Sequence, residues 1–369
     1  MNTTLGGGAG LACLRLHNGL RSIGIDSQTL SLYGETFNQH HAYLKNSVQK
    51  AQYRIKNKIR RTADTEDSFY PLRSYEGWYN LNRHALVRWA DIVHLHWVAD
   101  FLDAPQFLKH CAKPVVWTLH DEHPLNGWYH YSEGTNQNKY AALLQKQKSH
   151  LAEACKKENL HWVGPSNWIC QQAMESGLIE EKKIDHIPNA LPAQFSAGSK
   201  QEEVPNFLFV SAYLDNPAKG FDLALTAFQR IKKQMPSAQL QVIGHGNAVQ
   251  VEAGVHYHGF KSPAEIVRFY QSADALLFPS RIDNYPNTIL EAQACGCPVI
   301  ALSRGGISEM IQSKVNGLIT TIDELPIALL KSLDVDWDRQ QISAAVLAKH
   351  DPKRIAEKYK TVYQGLLSR

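Results

Sequence analysis

The feature that most constrains this chain is an alternation: apolar bursts of about five residues, each followed by a stretch with helical period. A strand buried on both faces reads as a continuous apolar run, and a parallel neighbour is reached only through a crossover, so the pattern predicts βα units around mainly parallel sheets. In the first half the candidate strands are residues 23–25, 92–95, 115–119 and 161–163. In the second half they are residues 207–211, 239–243, 255–258, 275–278, 299–301 and 317–320. The 369 residues exceed what one core usually organises, so two doubly wound domains in series are expected. Residues 187–204, IPNALPAQFSAGSKQEEV, are rich in proline and polar residues and are read as the linker.

Parallel sheets bind ligands at the carboxyl ends of their strands. Just past the candidate strands stand Gly244-His245-Gly246, Pro279-Ser280-Arg281, His120-Asp121 and Ser303-Arg304-Gly305-Gly306. Pro286 suits a first helical turn, residues 288–294 are helix formers, and Gly296 is a terminator before the strand at 299–301. Asp283 and Glu291, eight residues apart, can then face one site from a loop and a helix, and the amides at that helix start attract phosphate.

Composition, 44% hydrophobic and 20% charged, is that of an ordered globular protein. A net charge of +4 is too weak to imply nucleic acid. Between Glu35 and Asp64, however, seven cations (Lys45, Lys50, Arg54, Lys56, Lys58, Arg60 and Arg61) surround Val48, Ala51, Ile55 and Ile59. That is either a solvated surface helix or one that lies on anionic headgroups. The six cysteines lack ligand spacing and are read as reduced, buried small hydrophobes. No run approaches the roughly 18 apolar residues of a spanning helix and no leader pattern opens the chain, so a cytoplasmic protein is expected. Only residues 1–5 precede the cluster Gly6-Gly7-Gly8-Ala9-Gly10, so either the first strand is absent or the true start lies upstream; the second is expected.

The stretch SRIDNYPNTILEAQACGCPVIALSRGGISEMI, residues 280–311, resembles the nucleotide-sugar motif of retaining glycosyltransferase family 4. In that motif an acidic residue and a glutamate, separated by seven residues, are followed by AxxxGxPV and GGxxE. The resemblance implies that Asp283 contacts donor-sugar hydroxyls and Glu291 holds the nucleotide ribose. The family usually has glutamate at the first acidic position; SRIDNYPN is similar to a subgroup that includes colanic-acid-type exopolysaccharide transferases. Lys219-Gly220 resembles the family's KG element, whose lysine sits on the donor diphosphate, where a fixed cation offsets the charge that develops as the glycosidic bond breaks. The arginine usual shortly before that lysine is missing, with Ala212 and Tyr213 in its region, and Arg281 or Arg304 is a candidate to compensate. VIGHGN (residues 242–247) resembles the glycine turn near the base, and GPSNWI and HIPNALPAQF resemble structural elements at the domain junction. IVHLHW and VVWTLHDEHPLNGWYHY resemble acceptor-side motifs of the subgroup. His120 there matches the histidine that reaches the donor sugar, while the cysteine cluster of some relatives is missing, so zinc is not expected.

The resemblance implies a GT-B fold, two Rossmann-like α/β domains facing across a cleft: residues 1–188 on the acceptor side, 189–350 for the nucleotide sugar, and 351–369 as a helix returning toward the first domain. It implies a metal-independent hexosyltransferase without a cofactor. Catalysis is assigned to His120, Asp283 and Lys219, and donor binding to Glu291, Gly7, Gly8, Gly244, Gly246, Arg281, Asn284, Asn287, Gly305 and Gly306. The expected partners are a nucleotide sugar, a saccharide or lipid-linked oligosaccharide for exopolysaccharide, capsule or lipopolysaccharide, and an anionic membrane surface. A catalytically impaired nucleotide-sugar-binding protein and a sugar-nucleotide epimerase are the rivals.

Overall fold

The computed structural model describes residues 1–368 except 34–39, 44–79, 128, 136–140, 199–203 and 247–251. By internal contacts the chain divides into one unit of Met1–Ala190 with Pro352–Arg369 and a second of Leu191–Asp351. The basic stretch from Lys45 to Arg61 lies outside the described residues, as does Asn247.

In the first unit, β1 (Asn2–Thr4), β2 (Thr29–Tyr33) and β3 (His41–Tyr43) form one parallel ladder. A second runs β4 (Val93–Leu95), β5 (Val115–Thr118), β6 (Leu160–Gly164) and β7 (Ile184–His186), also parallel. The backbone of β1 joins them, since His96 N donates to Met1 O at 2.9 Å and Thr3 N to Trp97 O at 2.7 Å. The strands therefore lie side by side in the order β3-β2-β1-β4-β5-β6-β7. Trp117 and Trp162, paired in register on β5 and β6, stack at 5.0 Å in the core. Both are fully buried, and truncating either to alanine is expected to cost about 3–5 kcal/mol. The last helix, Pro352–Leu367, buries Ile355, Ala356 and Tyr359 with Leu16 and Leu20 of the first, Gly7–Ser22.

The second unit holds a six-stranded sheet, all parallel, in the order β10-β9-β8-β11-β12-β13. Its strands are β8 (Asn206–Tyr213), β9 (Gln239–His245), β10 (Val255–Tyr257), β11 (Ala275–Phe278), β12 (Val299–Leu302) and β13 (Gly317–Thr320). β11 and β12 are buried at every position, as their unbroken apolar runs require. The helix Phe221–Gln234 turns Ala224, Ala227, Phe228 and Ile231, one stripe at helical spacing, into a core with Phe207, Phe209 and Leu240. The helix Pro263–Ser272 opens on a capping box between Ser262 and Glu265. Asn287–Ala294 starts just after Pro286 and ends before Gly296, whose φ is +74°.

One expectation is corrected. Residues 23–25 form no strand: Ile23 caps the first helix, and the strand begins only at Thr29. Asn2–Thr4 forms a short first strand that pairs with Ser31 and Tyr33. The units divide at 190/191 and 351/352. All six cysteines are free and buried, and burial pushes the thiols of Cys155, Cys295 and Cys297 up to about 12. Among the described residues no helix is long and apolar enough to cross a membrane.

Candidate functional site

In the second unit the candidate residues follow four strands that are adjacent in the sheet, β9, β8, β11 and β12. The turn after β8 carries Lys219, and the loop after β11 carries Arg281, Asp283 and Asn284. These loops are bonded to each other: Arg281 N donates to Ala218 O at 2.7 Å, and Ser280 Oγ donates to the same carbonyl at 3.0 Å. Gly220, at φ +69°, completes the approach, for a Cβ there would lie 2.1 Å from Pro279 O.

At the centre, Lys219 Nζ donates to Asp283 Oδ2 at 2.6 Å, with side chains 28% and 12% exposed. The other carboxylate oxygen of Asp283 accepts from Asn284 N at 3.0 Å. Its backbone oxygen accepts from Gly306 N at 3.0 Å, tying the loop after β11 to the one after β12. Gly305 makes this possible: at φ +60° its absent Cβ would fall 2.2 Å from Asp283 O. A cation and a carboxylate, partly buried and held by three loops, are thus paired at the strand ends, where the one can offer charge to an anion and the other can accept from hydroxyls.

Asn287 and Glu291 lie one helical turn apart on Asn287–Ala294, both partly buried. Glu291 Oε2 accepts from the hydroxyl of the buried Tyr270 at 3.3 Å. Burial, with the Glu291 charge beside it, holds the Tyr270 phenol well above its ordinary range, so it stays a donor. Gly244, in β9, packs against β8, where a Cβ would meet Ser211 O at 2.2 Å; Gly246, just beyond, is exposed. The Arg281 guanidinium grips Asp222 at 2.9 and 2.5 Å and donates to Pro217 O at 2.5 Å. That hydrogen-bonded fork lowers the Asp222 carboxyl and braces the Lys219 turn from behind.

In the first unit, Gly7 and Gly8 open the helix Gly7–Ser22, which has no side-chain cap and no acidic residue in its first turn. His120 and Asp121 follow β5. Asp121 accepts from the Trp97 indole at 3.1 Å and from His123 N at 3.0 Å, and pairs with His130 Nδ1 at 2.6 Å. Burial raises its carboxyl, but His130 and His123 and their hydrogen bonds more than offset this and hold it below the usual value. His120 Nε2 meets His96 Nδ1 at 2.9 Å. His96 stacks on His94 at 4.3 Å, and His94 bonds the Tyr363 hydroxyl at 2.7 Å and Thr118 Oγ1 at 2.8 Å. Burial depresses all three imidazoles, His120 to about 4 and the other two well below their ordinary value, so each is neutral near pH 7. Sequence reasoning did not foresee this chain of histidines, although the H-x-H spacing of His94 and His96 already puts both on one face of an extended segment.

Two units, each built on parallel strands with the candidate loops at the strand ends, belong to the GT-B class of fold. Comparisons with known proteins agree. Residues 204–334 match the family described as Glycosyl transferases group 1. The chain is 25% identical to a putative colanic acid biosynthesis glycosyl transferase, WcaC, of Escherichia coli K12, over 98% of this chain and 97% of that one. It is 27% identical over 117 residues to the D-inositol 3-phosphate glycosyltransferase of Segniliparus rotundus, covering 28% of this chain and only 26% of that protein's length. In structure it is similar to Anabaena Alr3699/HepE solved in complex with UDP-glucose, with a TM-score of 0.68, 15% identity, and 99% and 98% of the two chains covered.

Proposed function

We propose that this protein is a retaining glycosyltransferase that moves a sugar from a nucleotide-diphosphate donor onto a polysaccharide precursor. The observation that carries the reading is the Lys219–Asp283 pair, held at the carboxyl ends of neighbouring strands β8 and β11 within the segment that matches Glycosyl transferases group 1. Lys219 offsets the charge that grows on the leaving diphosphate, Asp283 accepts from hydroxyls of the donor sugar, and Glu291 accepts from the ribose. His120, in the first unit, is assigned to the donor sugar. The bond from the anomeric carbon to the phosphate oxygen breaks, and the acceptor oxygen bonds to the same face. The acceptor proton passes to the departing phosphate, which leaves as nucleoside diphosphate. The cation in this scheme is a side chain, and no metal is assigned to it. The acceptor class, a saccharide or lipid-linked oligosaccharide reached from the cytoplasmic face of a membrane, is inferred from the one relative reported above that is named for colanic acid biosynthesis.

The test is a donor screen. Purified protein is incubated with a panel of nucleotide sugars, with and without lipid-linked acceptors, and nucleoside diphosphate release is followed for wild type and Glu291→Ala. Release from one donor, falling at least about tenfold in the variant, supports the reading. Binding of a nucleotide sugar without turnover under every condition leaves a binding protein instead, and release of an altered nucleotide sugar identifies an epimerase.

A further inference from the structure

We propose that Tyr270 is a positioning residue for Glu291: its phenol fixes the carboxylate in one orientation and thereby sets how tightly the protein holds a ribose diol. The inference deepens the transferase reading and rests on its assignment of Glu291 to the nucleotide ribose.

A glutamate side chain turns about several bonds, and a ligand that needs one orientation of it must overcome the entropy of the others. A diol meets a carboxylate at two points, so affinity rises when that group is already oriented before the ligand arrives. Glu291, partly buried on the helix Asn287–Ala294, has such a device beside it. Tyr270 lies on the helix Pro263–Ser272, fully buried, in one apolar cluster with Ile266, Leu276 and Ile289. Phenylalanine would fill that cluster as well, so the hydroxyl is what calls for an explanation. A buried phenol without an acceptor is costly, and among the described residues the Tyr270 hydroxyl bonds to Glu291 Oε2 alone, at 3.3 Å. The polarity of the bond is fixed, because a carboxylate can only accept and the phenol, raised by burial, keeps its proton. Each carboxylate oxygen carries two lone pairs, so Oε2 can serve Tyr270 and still accept from a ligand. The contact is long for a hydroxyl donor, which makes the alignment of the two helices decisive.

That alignment is set by a third helix, Arg339–Lys349. The Arg339 guanidinium donates to Tyr270 O at 3.2 Å, Gln271 O at 2.9 Å and Ala273 O at 2.9 Å, carbonyls at the end of the Tyr270 helix where intrahelical donors run out. One turn further on, Ser343 Oγ donates to Ala294 O at 2.5 Å, the last residue of the Glu291 helix. Gly296 allows the close approach, for a Cβ there would lie 2.7 Å from Arg339 O. Both helices are thus fastened at their ends to one support, and the phenol is carried to the carboxylate by rigid elements rather than by a loop.

The experiment compares wild type, Tyr270→Phe, Glu291→Ala and the double variant by titration calorimetry with uridine, guanosine and adenosine diphosphates, each against its 2′,3′-dideoxy counterpart. Tyr270→Phe is expected to weaken the ribonucleotide that wild type binds by about 5–10-fold and its dideoxy counterpart by less than about twofold, and to have no further effect in Glu291→Ala. An equal effect on both nucleotides, no effect on either, or a loss that persists without Glu291 assigns Tyr270 to the core alone and overturns the proposal. The full chain carrying 13C at glutamate Cδ, with Glu291 assigned from the spectrum of Glu291→Gln, gives a reading that needs no nucleotide. Tyr270→Phe is expected to raise the Glu291 titration midpoint by about half a pH unit or more, since a hydrogen bond to the charged form has gone. An unchanged midpoint overturns the proposal too. A raised midpoint in a protein whose wild type binds none of the nucleotides sinks the transferase reading and leaves Tyr270 holding Glu291.

Discussion

In the ligand-free protein Lys219 already has an anionic partner, so a donor diphosphate must compete with Asp283 for it. Asp283→Asn removes the competitor while preserving the loop: the amide oxygen can still accept from Asn284 N, and the backbone oxygen still accepts from Gly306 N. A charge-assisted hydrogen bond contributes roughly 1.5–3 kcal/mol. Lys219 is 28% exposed and regains water when released, so the net opposition to an incoming phosphate is taken as about 1 kcal/mol. Removing it tightens binding of a bare nucleoside diphosphate about fivefold. The same variant loses an acceptor for sugar hydroxyls, so turnover should drop by about 100-fold. Titration calorimetry with the nucleoside diphosphate alone, wild type against variant at low and moderate salt, separates the two effects. Equal or weaker binding to Asp283→Asn refutes the competition and with it the placing of Lys219 on the diphosphate.

Two further outcomes follow from the geometry. Gly305→Ala puts a Cβ 2.2 Å from Asp283 O at a φ of +60°, so the loop must shift; a loss of about 2 kcal/mol or more is expected in calorimetric unfolding, with weaker nucleotide binding, and an unchanged melting profile contradicts the packing. His17 and His120 are both held near 4 by burial, against an ordinary 6.5. The unfolded chain therefore takes up these protons first: the stabilising contribution is complete above about pH 6.5 and is lost as pH falls toward 4, by up to about 1.4 kcal/mol per pH unit for each histidine. Urea unfolding between pH 7.5 and 4.5 should show the first unit weakening through this window, and a pH-independent midpoint contradicts the neutral, buried state of these rings.

What the sequence disclosed follows from which residues carry their information locally. All six strands of the second unit were legible, because strands such as ALLF and VIAL are buried on both faces and are apolar throughout. β1, NTT, and β2, TLSLY, escaped because they bury polar residues: Asn2, Thr3, Thr29 and Ser31 are all inside. Ile23 and Ile25 offered an apolar burst that the end of a helix absorbed instead, an ambiguity inherent in short runs. The loops bearing Lys219, Asp283 and Gly305 were found as turns after strands. Their pairing was not, since Lys219 and Asp283 are 64 positions apart and only the adjacency of β8 and β11 brings them to 2.6 Å. Arg281, read as a candidate for the diphosphate, pairs with Asp222, 59 positions away, a partner the sequence did not reveal. Long-range partners of this kind leave no periodic mark on a sequence.

The assignment of Pro352–Leu367 to the first unit has a consequence for how the protein is made. The second unit is one uninterrupted run, Leu191–Asp351, and leaves the ribosome whole. The first unit does not: Leu16, Leu20, Val116 and Val163 wait for Ile355, Ala356 and Tyr359, and Thr118 and His94 wait for the hydroxyls of Tyr359 and Tyr363. The half of the molecule synthesised first is thus the last to be finished. Until the final helix emerges, the sheet that carries His120 has an apolar face that nascent-chain binders can hold, and a ribosome that stalls short of Pro352 releases a protein whose second unit is complete and whose first is open.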